Sequence, residues 1–198
     1  MSCAFNTFII LLFSFIIPIF LLIMTYRKPI SSEYPVYYFP FIKVVEQENA
    51  LEAMRMVHAD TQSVLENLTD EQGLFRYEEG KWSIKELLGH IIDCERIHQY
   101  RALCIARGET TPLPGFDQDL YVAQSNAESR RLESLLHEFE ATRKSSITLF
   151  ASFTEEMLSN VGNANGYDLT ARAISFILPG HEKHHINIVK ERYLPHFE

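Results

Sequence analysis

Three of the eight histidines in this chain of 198 residues lie close together near the C-terminus, at His181, His184 and His185. His181 and His185 stand four residues apart, so on an α-helix their side chains lie one turn above the other on the same face. Two imidazoles at that spacing can share one metal ion, as they do in many zinc sites. The segment therefore predicts a metal-binding pair, if it is helical and if a third ligand faces it.

His90 is the best candidate for that third ligand. It lies on the inward face of a helix that starts with a capping box, Ser83 and Glu86, and ends near Arg107 before Gly108. Three histidines that leave a coordination position open are typical of catalytic sites, whereas closed structural zinc sites use four ligands that include cysteines. Spacing alone also allows an alternative, in which these are hydrogen-bonded core histidines or surface histidines without a metal.

The C-terminal segment also matches H-E-x-x-H, the zinc protease motif in which the glutamate is the base. The extended form of that motif needs glycine and histidine at the positions of Ile188 and Glu191. Only 13 residues follow His185, too few for another helix that carries a ligand. On a helix Glu182 points about 100° away from His181, so we expect it to lean out of the site. The sequence therefore disfavours a protease.

Helices must position these residues. Apolar residues recur at steps of three and four in four long segments, which predict helices at about 49–68, 83–107, 128–153 and 170–193. Shorter helices are expected near 40–46 and 117–123, and loops at 108–116 and 162–166. Pro179 should bend the last helix or weaken its hydrogen bond to Ser175. Since no alternating strand pattern follows residue 45, the predicted fold is all-α, a bundle of four main helices.

Five further residues near the predicted inward faces could have either a structural role or a role in the site. Arg101 follows His90 on the same helical face, and Asp93, Arg96 and Cys94 lie nearby. For the two arginines, the alternative to a substrate contact is an ion pair with Asp93, Glu95 or another carboxylate. A helix-interior cysteine on an apolar face is usually a core residue. His58, on the inward face of the first long helix, is a weaker candidate, because a lone histidine there is more often a core group.

Two other histidines, His98 and His184, point off the inward faces of their helices. We expect them either to contact the metal ligands without binding the metal themselves or to lie on the surface.

The N-terminus is a separate hydrophobic segment, residues 1–28, ahead of a bundle domain at 29–198. Its apolar run is long enough for one transmembrane helix, at about residues 5–26. Arg27 and Lys28 follow the run, which would place the domain in the cytoplasm, anchored to the membrane by this helix. No positive charge precedes the run, so a secretory signal is disfavoured. The alternative is that translation starts at Met24 and the run is a start-site artefact, which leaves a cytoplasmic domain without an anchor.

Composition limits the function classes. A formal net charge of −8 and a pI near 5.5 argue against a nucleic-acid-binding protein, which usually carries a basic surface. The three cysteines, Cys3, Cys94 and Cys104, are odd in number and lack CxxC spacing. They are typical of reduced intracellular thiols.

Three ordered motifs resemble the DinB-like (DinB/YfiT-like) family. They are Gly80-Lys81-Trp82-Ser83-Ile84-Lys85-Glu86 with Gly89-His90, then Leu113-Pro114-Gly115-Phe116-Asp117, and then Gly180-His181-Glu182 with His184-His185. The resemblance covers about residues 30–195. It implies a four-helix bundle of DinB/YfiT type, usually a homodimer, with a divalent metal (Zn, Ni, Fe or Mn) held by the residues that match the family's three histidines, His90, His181 and His185.

The resemblance also implies an enzyme that acts on a small molecule, in stress response or detoxification. The expected reaction is thiol-dependent S-transfer, with a low-molecular-weight thiol as second cofactor, or hydrolysis. In the first case Arg101, and less surely Arg96, would bind a carboxylate of the thiol. The alternative is a non-catalytic, dimeric metal-binding bundle, tethered to the membrane if the N-terminal helix is real.

Overall fold

The computed structural model describes residues 26–197. The transmembrane helix expected at about residues 5–26, and the choice between Met1 and Met24 as start, therefore fall outside the described residues. Within 26–197, no helix combines the length and the apolar character that a membrane span requires.

Helices dominate the described part of the chain. The α-helices are α1 (Phe39–Val44), α2 (Ala50–Leu65), α3 (Asp70–Gly73), α4 (Ile84–Ala106), α5 (Gln118–Gln124), α6 (Leu132–Ala151), α7 (Glu155–Ser159) and α8 (Ala171–Ile188), and the strands are β1 (Val161–Ala164) and β2 (Tyr167–Thr170). A π-helix at Val189–Tyr193 continues α8, and 3₁₀ turns occupy Ser31–Glu33, Val36–Tyr38, Ala127–Ser129 and Leu194–His196. The predicted all-α class with four main helices is confirmed.

The four long helices pack as a ring in the order α2, α8, α4, α6. Each contacts its two neighbours in that ring, and α1 packs on the outside against α8. Neighbours in the ring are therefore not always neighbours in the chain. This arrangement places α4 and α8, the two helices that carry the predicted histidines, side by side.

Local signals explain three of the four long-helix starts. The side chain of Asn49 accepts hydrogen bonds at the start of α2, and the Thr170 hydroxyl accepts one at the start of α8. At α4 the Ser83 hydroxyl and the Glu86 carboxylate form the predicted capping box. These caps satisfy backbone N–H groups that have no partner within the helix.

The start of α6 differs from the prediction by four residues, at Leu132 instead of Glu128. Arg131 at the N-cap position makes no capping hydrogen bond with its side chain. The Asp70 carboxylate, far away in the sequence, instead accepts from the Leu132 N–H at 2.7 Å. A local pattern could not show this cap, because its acceptor comes from α3.

The loop expected at 162–166 lies within a β-hairpin in the structure. β1 and β2 form an antiparallel hairpin, with Asn165 and Gly166 at the turn, both at positive φ. Asn-Gly between two extended segments is a strong signal for a two-residue hairpin turn, and it is present in the sequence. Leu113 pairs with the hairpin through two backbone hydrogen bonds of 2.9 Å, to Asn163 and Asn165. The hairpin therefore anchors the loop that precedes α5.

The aromatic lead-in, which we define as residues 26–48 before α2, contributes several side chains to the core. Tyr26, Tyr38, Ile42 and Val45 are all buried in the main core. The lead-in and α1 are therefore part of the folded domain, and they cover one side of α8.

The apolar core consists of two clusters. One includes Met54, Ile105, Phe150 and Ile174, and the other includes Leu65, Leu88, Phe139 and Ile186. On each long helix, a buried polar residue lies in the sequence between the two clusters: Thr61 on α2, Glu95 on α4, Arg143 on α6 and Glu182 on α8. The bundle thus has a polar layer across its middle.

Candidate metal centre

The structure brings His90, His181 and His185 together. Nε2 of His181 lies 3.2 Å from Nε2 of His90 and 3.1 Å from Nε2 of His185. His90 comes from α4, while His181 and His185 come from successive turns of α8, as their spacing predicted. Among the described residues, this is the group of histidine, cysteine and carboxylate side chains whose donor atoms converge closely enough for one ion.

The donor set fits a divalent metal ion. In a tetrahedral site with zinc–nitrogen bonds of about 2.0 Å, two nitrogen ligands stand about 3.3 Å apart, close to the separations here. Burial lowers the pKa of His90 to about 4 and that of His185 to about 3. Burial also holds the pKa of His181 well below its usual value. All three are therefore neutral near pH 7, which is the form that binds metals.

Aromatic side chains hold the histidine rings in place. The Trp82 ring lies 4.7 Å from the ring of His90, centroid to centroid, and the Tyr193 hydroxyl donates to the Trp82 carbonyl at 2.7 Å. On the other side, the edge of Phe41 meets the rings of His181 and His184, each at 5.5 Å. The start of α4, the end of α8 and α1 thus all fix the geometry of the site.

Gly180 permits the close approach of α1. A Cβ atom at this position would lie 2.0 Å from the carbonyl oxygen of Phe41. Pro179 precedes it, and α8 continues through both residues; the bend or weakened hydrogen bond expected at Pro179 stays a prediction. The absence of a side chain at Gly180 lets Phe41 reach His181.

Two cavities meet at the histidines. The larger, of about 370 Å³, contacts His181 and His185. Its other lining residues are Tyr37, Tyr38, Phe41, Cys94, His98, Arg101, Phe116, Gln118, Asn165, Ile177 and His184. The smaller, of about 260 Å³, also contacts His185, and its walls include Tyr77, Trp82 and Tyr193. Both cavities therefore adjoin the converging histidines.

Arg101 lies on the wall of the larger cavity. It is 4 % exposed and donates to the Pro114 carbonyl at 2.8 Å, and its guanidinium lies 6.0 Å from the centre of the Phe116 ring. Within residues 26–197 it forms no salt bridge. The ion pair considered as the alternative for Arg101 is therefore absent from the described chain.

Arg96, unlike Arg101, forms ion pairs, and one of them is with Asp93. Arg96 lies 2.6 Å from Glu138 and 3.8 Å from Asp93, and its side chain is half exposed. Burial raises the pKa of Asp93. Neither residue lines either cavity at the histidines. The ion-pair alternative therefore describes Arg96.

None of the other candidates belongs to the group of three converging histidines. His58 packs against Phe139 of α6, at 4.5 Å between ring centres, and is not part of the converging group. Cys94 is buried 3.6 Å from Nε2 of His90, and burial raises the pKa of its thiol to about 12. It is protonated near pH 7, consistent with the core interpretation. His184 is exposed at the cavity rim, whereas His98 is buried, so the surface alternative is wrong for His98.

Glu182 leans away from the metal ligands, but it lies in the core and not at the surface. Its carboxylate lies 2.5 Å from Nη2 of Arg143, which also contacts Glu95 at 2.8 Å. Burial raises the pKa of Glu182 to about 7, against the opposing effect of Arg143. The sequence-based interpretation missed this network, since no signal local to α6 marks Arg143 as buried.

Comparisons with known proteins agree with this geometry. Residues 53–189 match the model of the DinB superfamily. A protein of Oceanobacillus iheyensis, provisionally named a metal-dependent hydrolase, is 31 % identical over 127 residues, which are 63 % of this chain and 72 % of that protein.

A solved structure has the same fold. It is YfiT from Bacillus subtilis, described as a metal-dependent hydrolase, again provisionally, with an unusual four-helix-bundle topology. The TM-score is 0.68 at 16 % sequence identity, over 75 % of this chain and 86 % of that one. The helix ring, the converging histidines and the family match over most of the chain lead to one conclusion: this protein belongs to the DinB superfamily.

Proposed function

We propose that this protein is a metal-dependent enzyme that hydrolyses a small molecule. One observation carries the proposal: three neutral imidazoles converge at the edge of a cavity that a small molecule can enter, with Nε2 of His181 lying 3.2 Å from that of His90 and 3.1 Å from that of His185. The provisional assignments of the two relatives as metal-dependent hydrolases support it.

A divalent ion bound there would act as a Lewis acid and lower the pKa of a nucleophile that it binds. The chain's own residues would hold and shield the site. His90, His181 and His185 provide uncharged ligands, and the rings of Trp82 and Phe41 keep them oriented. No carboxylate of residues 26–197 lines the larger cavity, so the general base of H-E-x-x-H proteases has no counterpart there within that part of the chain.

Thiol-dependent S-transfer is the second candidate. Two cavities that meet at His185 offer space for two reactants, a thiol on one side and an electrophile on the other. We assign the thiol to a separate molecule, because burial raises the pKa of the Cys94 thiol to about 12. A metal site of neutral ligands favours binding such a thiol as its thiolate.

Metal content of the full-length protein tests the site. We expect about one divalent ion per chain after purification and gel filtration, measured by elemental mass spectrometry. His185→Ala should reduce metal affinity by more than about tenfold, since loss of an outer-shell partner alone costs 10- to 100-fold. His184→Ala is the matched control, as this neighbouring histidine is exposed and outside the converging group. Equal metal content in all three proteins would refute the proposed ligands.

Turnover then separates the reactions. The metal-loaded protein is assayed with a panel of esters and amides, and with a low-molecular-weight thiol plus a halogenated aromatic electrophile. Ester or amide cleavage that disappears in His185→Ala supports the hydrolase, and thiol consumption supports the transferase. Bound metal without turnover in either panel favours the non-catalytic bundle. The homodimer and the membrane anchor stay proposals, which light scattering and mass spectrometry of the native N-terminus can test.

A further inference from the structure

The larger cavity combines a buried positive charge with an absence of acidic side chains. Its thirteen lining residues include Arg101 and no aspartate or glutamate, although the chain as a whole carries a net charge of −8. A cavity lined by one sign of charge raises the local concentration of ligands of the opposite sign. The distribution of charge therefore favours an anion in this cavity.

Arg101 has hydrogen-bond donors that the described protein does not use. A guanidinium offers five N–H groups, and one carbonyl, that of Pro114, accepts from it here. Its other two nitrogens, Nε and Nη1, form no hydrogen bond with residues 26–197, and they are not enclosed by protein atoms. They are therefore accessible to a ligand. Within residues 26–197 no carboxylate forms a salt bridge with it. A buried charge without a counter-ion is costly, which a bound anion would offset.

His98 also lines the cavity, but it offers no donor to an anion. Nδ1 of His98 lies 2.8 Å from the Cys94 carbonyl, so this nitrogen carries the proton and Nε2 is an acceptor. Nε2 is buried and has no partner among residues 26–197. Recognition of an anion in this cavity therefore rests on the unused donors of Arg101.

We propose that this cavity recognises the oxyanion of a small substrate, a carboxylate or a phosphate, and that Arg101 binds it. The guanidinium is suited to this role because its planar donors match two oxygens of either group. This inference rests on the proposed function in one respect: it takes the cavity as the place where the substrate lies.

Ligand binding to the metal-free, full-length protein tests the proposal without depending on the metal. Benzoate, neutral benzamide of nearly the same shape, and inorganic phosphate are titrated by calorimetry after removal of metals with EDTA. We expect benzoate or phosphate to bind at least tenfold more tightly than benzamide, and the stronger of the two identifies the oxyanion. Equal affinity of all three ligands, or no binding of either anion, overturns the proposal. This test uses the unmodified protein and does not depend on a variant.

Variants then assign the anion to Arg101. Arg101→Gln should abolish the preference for the anion, and Arg101→Lys, which keeps the charge but not the planar donors, should retain part of it. Arg96→Gln is the matched control, because that arginine lies on the same helix, pairs with Glu138 and is outside the cavity. Circular dichroism verifies folding. A preference that survives Arg101→Gln in a folded protein refutes the assignment.

The two proposals fail independently. A protein that binds benzoate through Arg101 but takes up no metal overturns the proposed enzyme and leaves the anion site standing. A protein that binds metal at the three histidines but does not distinguish benzoate from benzamide overturns the anion site and leaves the proposed metal centre standing.

Discussion

A single arginine holds together the polar layer of the bundle. Arg143 is 1 % exposed and contacts the carboxylates of Glu95 on α4 and Glu182 on α8, and it donates to the Met54 carbonyl on α2 at 3.2 Å. One side chain from α6 thus reaches the other three long helices. Because Glu182 directly follows His181, the same contact orients the helix turn that carries two of the three proposed ligands.

Replacement of this arginine should be among the most destabilising single changes. Arg143→Met leaves two buried carboxylates without their cation, and removal of one partner of a buried ion pair costs about 3–5 kcal/mol. Urea unfolding followed by circular dichroism measures the loss. Arg96→Met is the control, since its ion pairs are partly exposed and contribute less than about 1 kcal/mol. Similar stabilities of the two variants would contradict this role of Arg143.

At the scale of elements, the contact between α1 and α8 determines how the site is closed. Phe41 of α1 covers His181 and His184, and it does so because Gly180 leaves room for its backbone. A glycine inside a helix is unfavourable by about 1 kcal/mol relative to alanine. Its presence here is explained by the close approach of the two helices.

Gly180→Ala should therefore destabilise the protein although alanine is the better helix former. The added methyl group would displace a backbone carbonyl, and such overpacking costs about 1–3 kcal/mol. Gly89→Ala is the matched control within α4, because its Cβ would meet only side-chain atoms, Cβ of Ala127 at 3.3 Å and Oγ of Ser125 at 3.9 Å. Urea midpoints measure the stability of both. A Gly180→Ala variant as stable as Gly89→Ala would show that α1 moves away freely.

At the scale of the whole molecule, the proposed metal would join two helices that are far apart in the sequence. His90 on α4 and His181 on α8 are 91 residues apart and come together only in the folded bundle. An ion that binds the folded chain and not the unfolded chain stabilises the fold by mass action. Metal binding and global stability are therefore coupled in this protein.

Zinc should raise the melting temperature of the metal-free protein. A ligand at a hundred times its dissociation constant adds about 2.7 kcal/mol, which corresponds to a shift of roughly 5–10 °C for a domain of this size. Calorimetry with and without EDTA measures the shift. His185→Ala should abolish it and His184→Ala should retain it. An equal shift in both variants would indicate that zinc binds elsewhere.

Much of the fold followed from local patterns. Apolar residues at helical spacing located the four long helices, and the caps at Asn49, Ser83 and Thr170 marked three starts. The fourth start was misplaced because its cap is Asp70, a residue of another helix. The hairpin was missed although its Asn-Gly turn was visible, because its strands are only four residues long and show no clear alternation.

The sequence by itself determined the composition of the candidate site and one of its distances. A helix imposes a fixed rise per turn, so the spacing of His181 and His185 alone places two imidazoles together. Tertiary structure decided what faces them. The packing of α4 against α8 brought His90 to the pair, and Glu182, expected only to lean out of the site, became a buried partner of Arg143. Within residues 26–197, tertiary structure also left Arg101 without a salt bridge to a carboxylate, since burial and charge pairing depend on residues far apart in the chain.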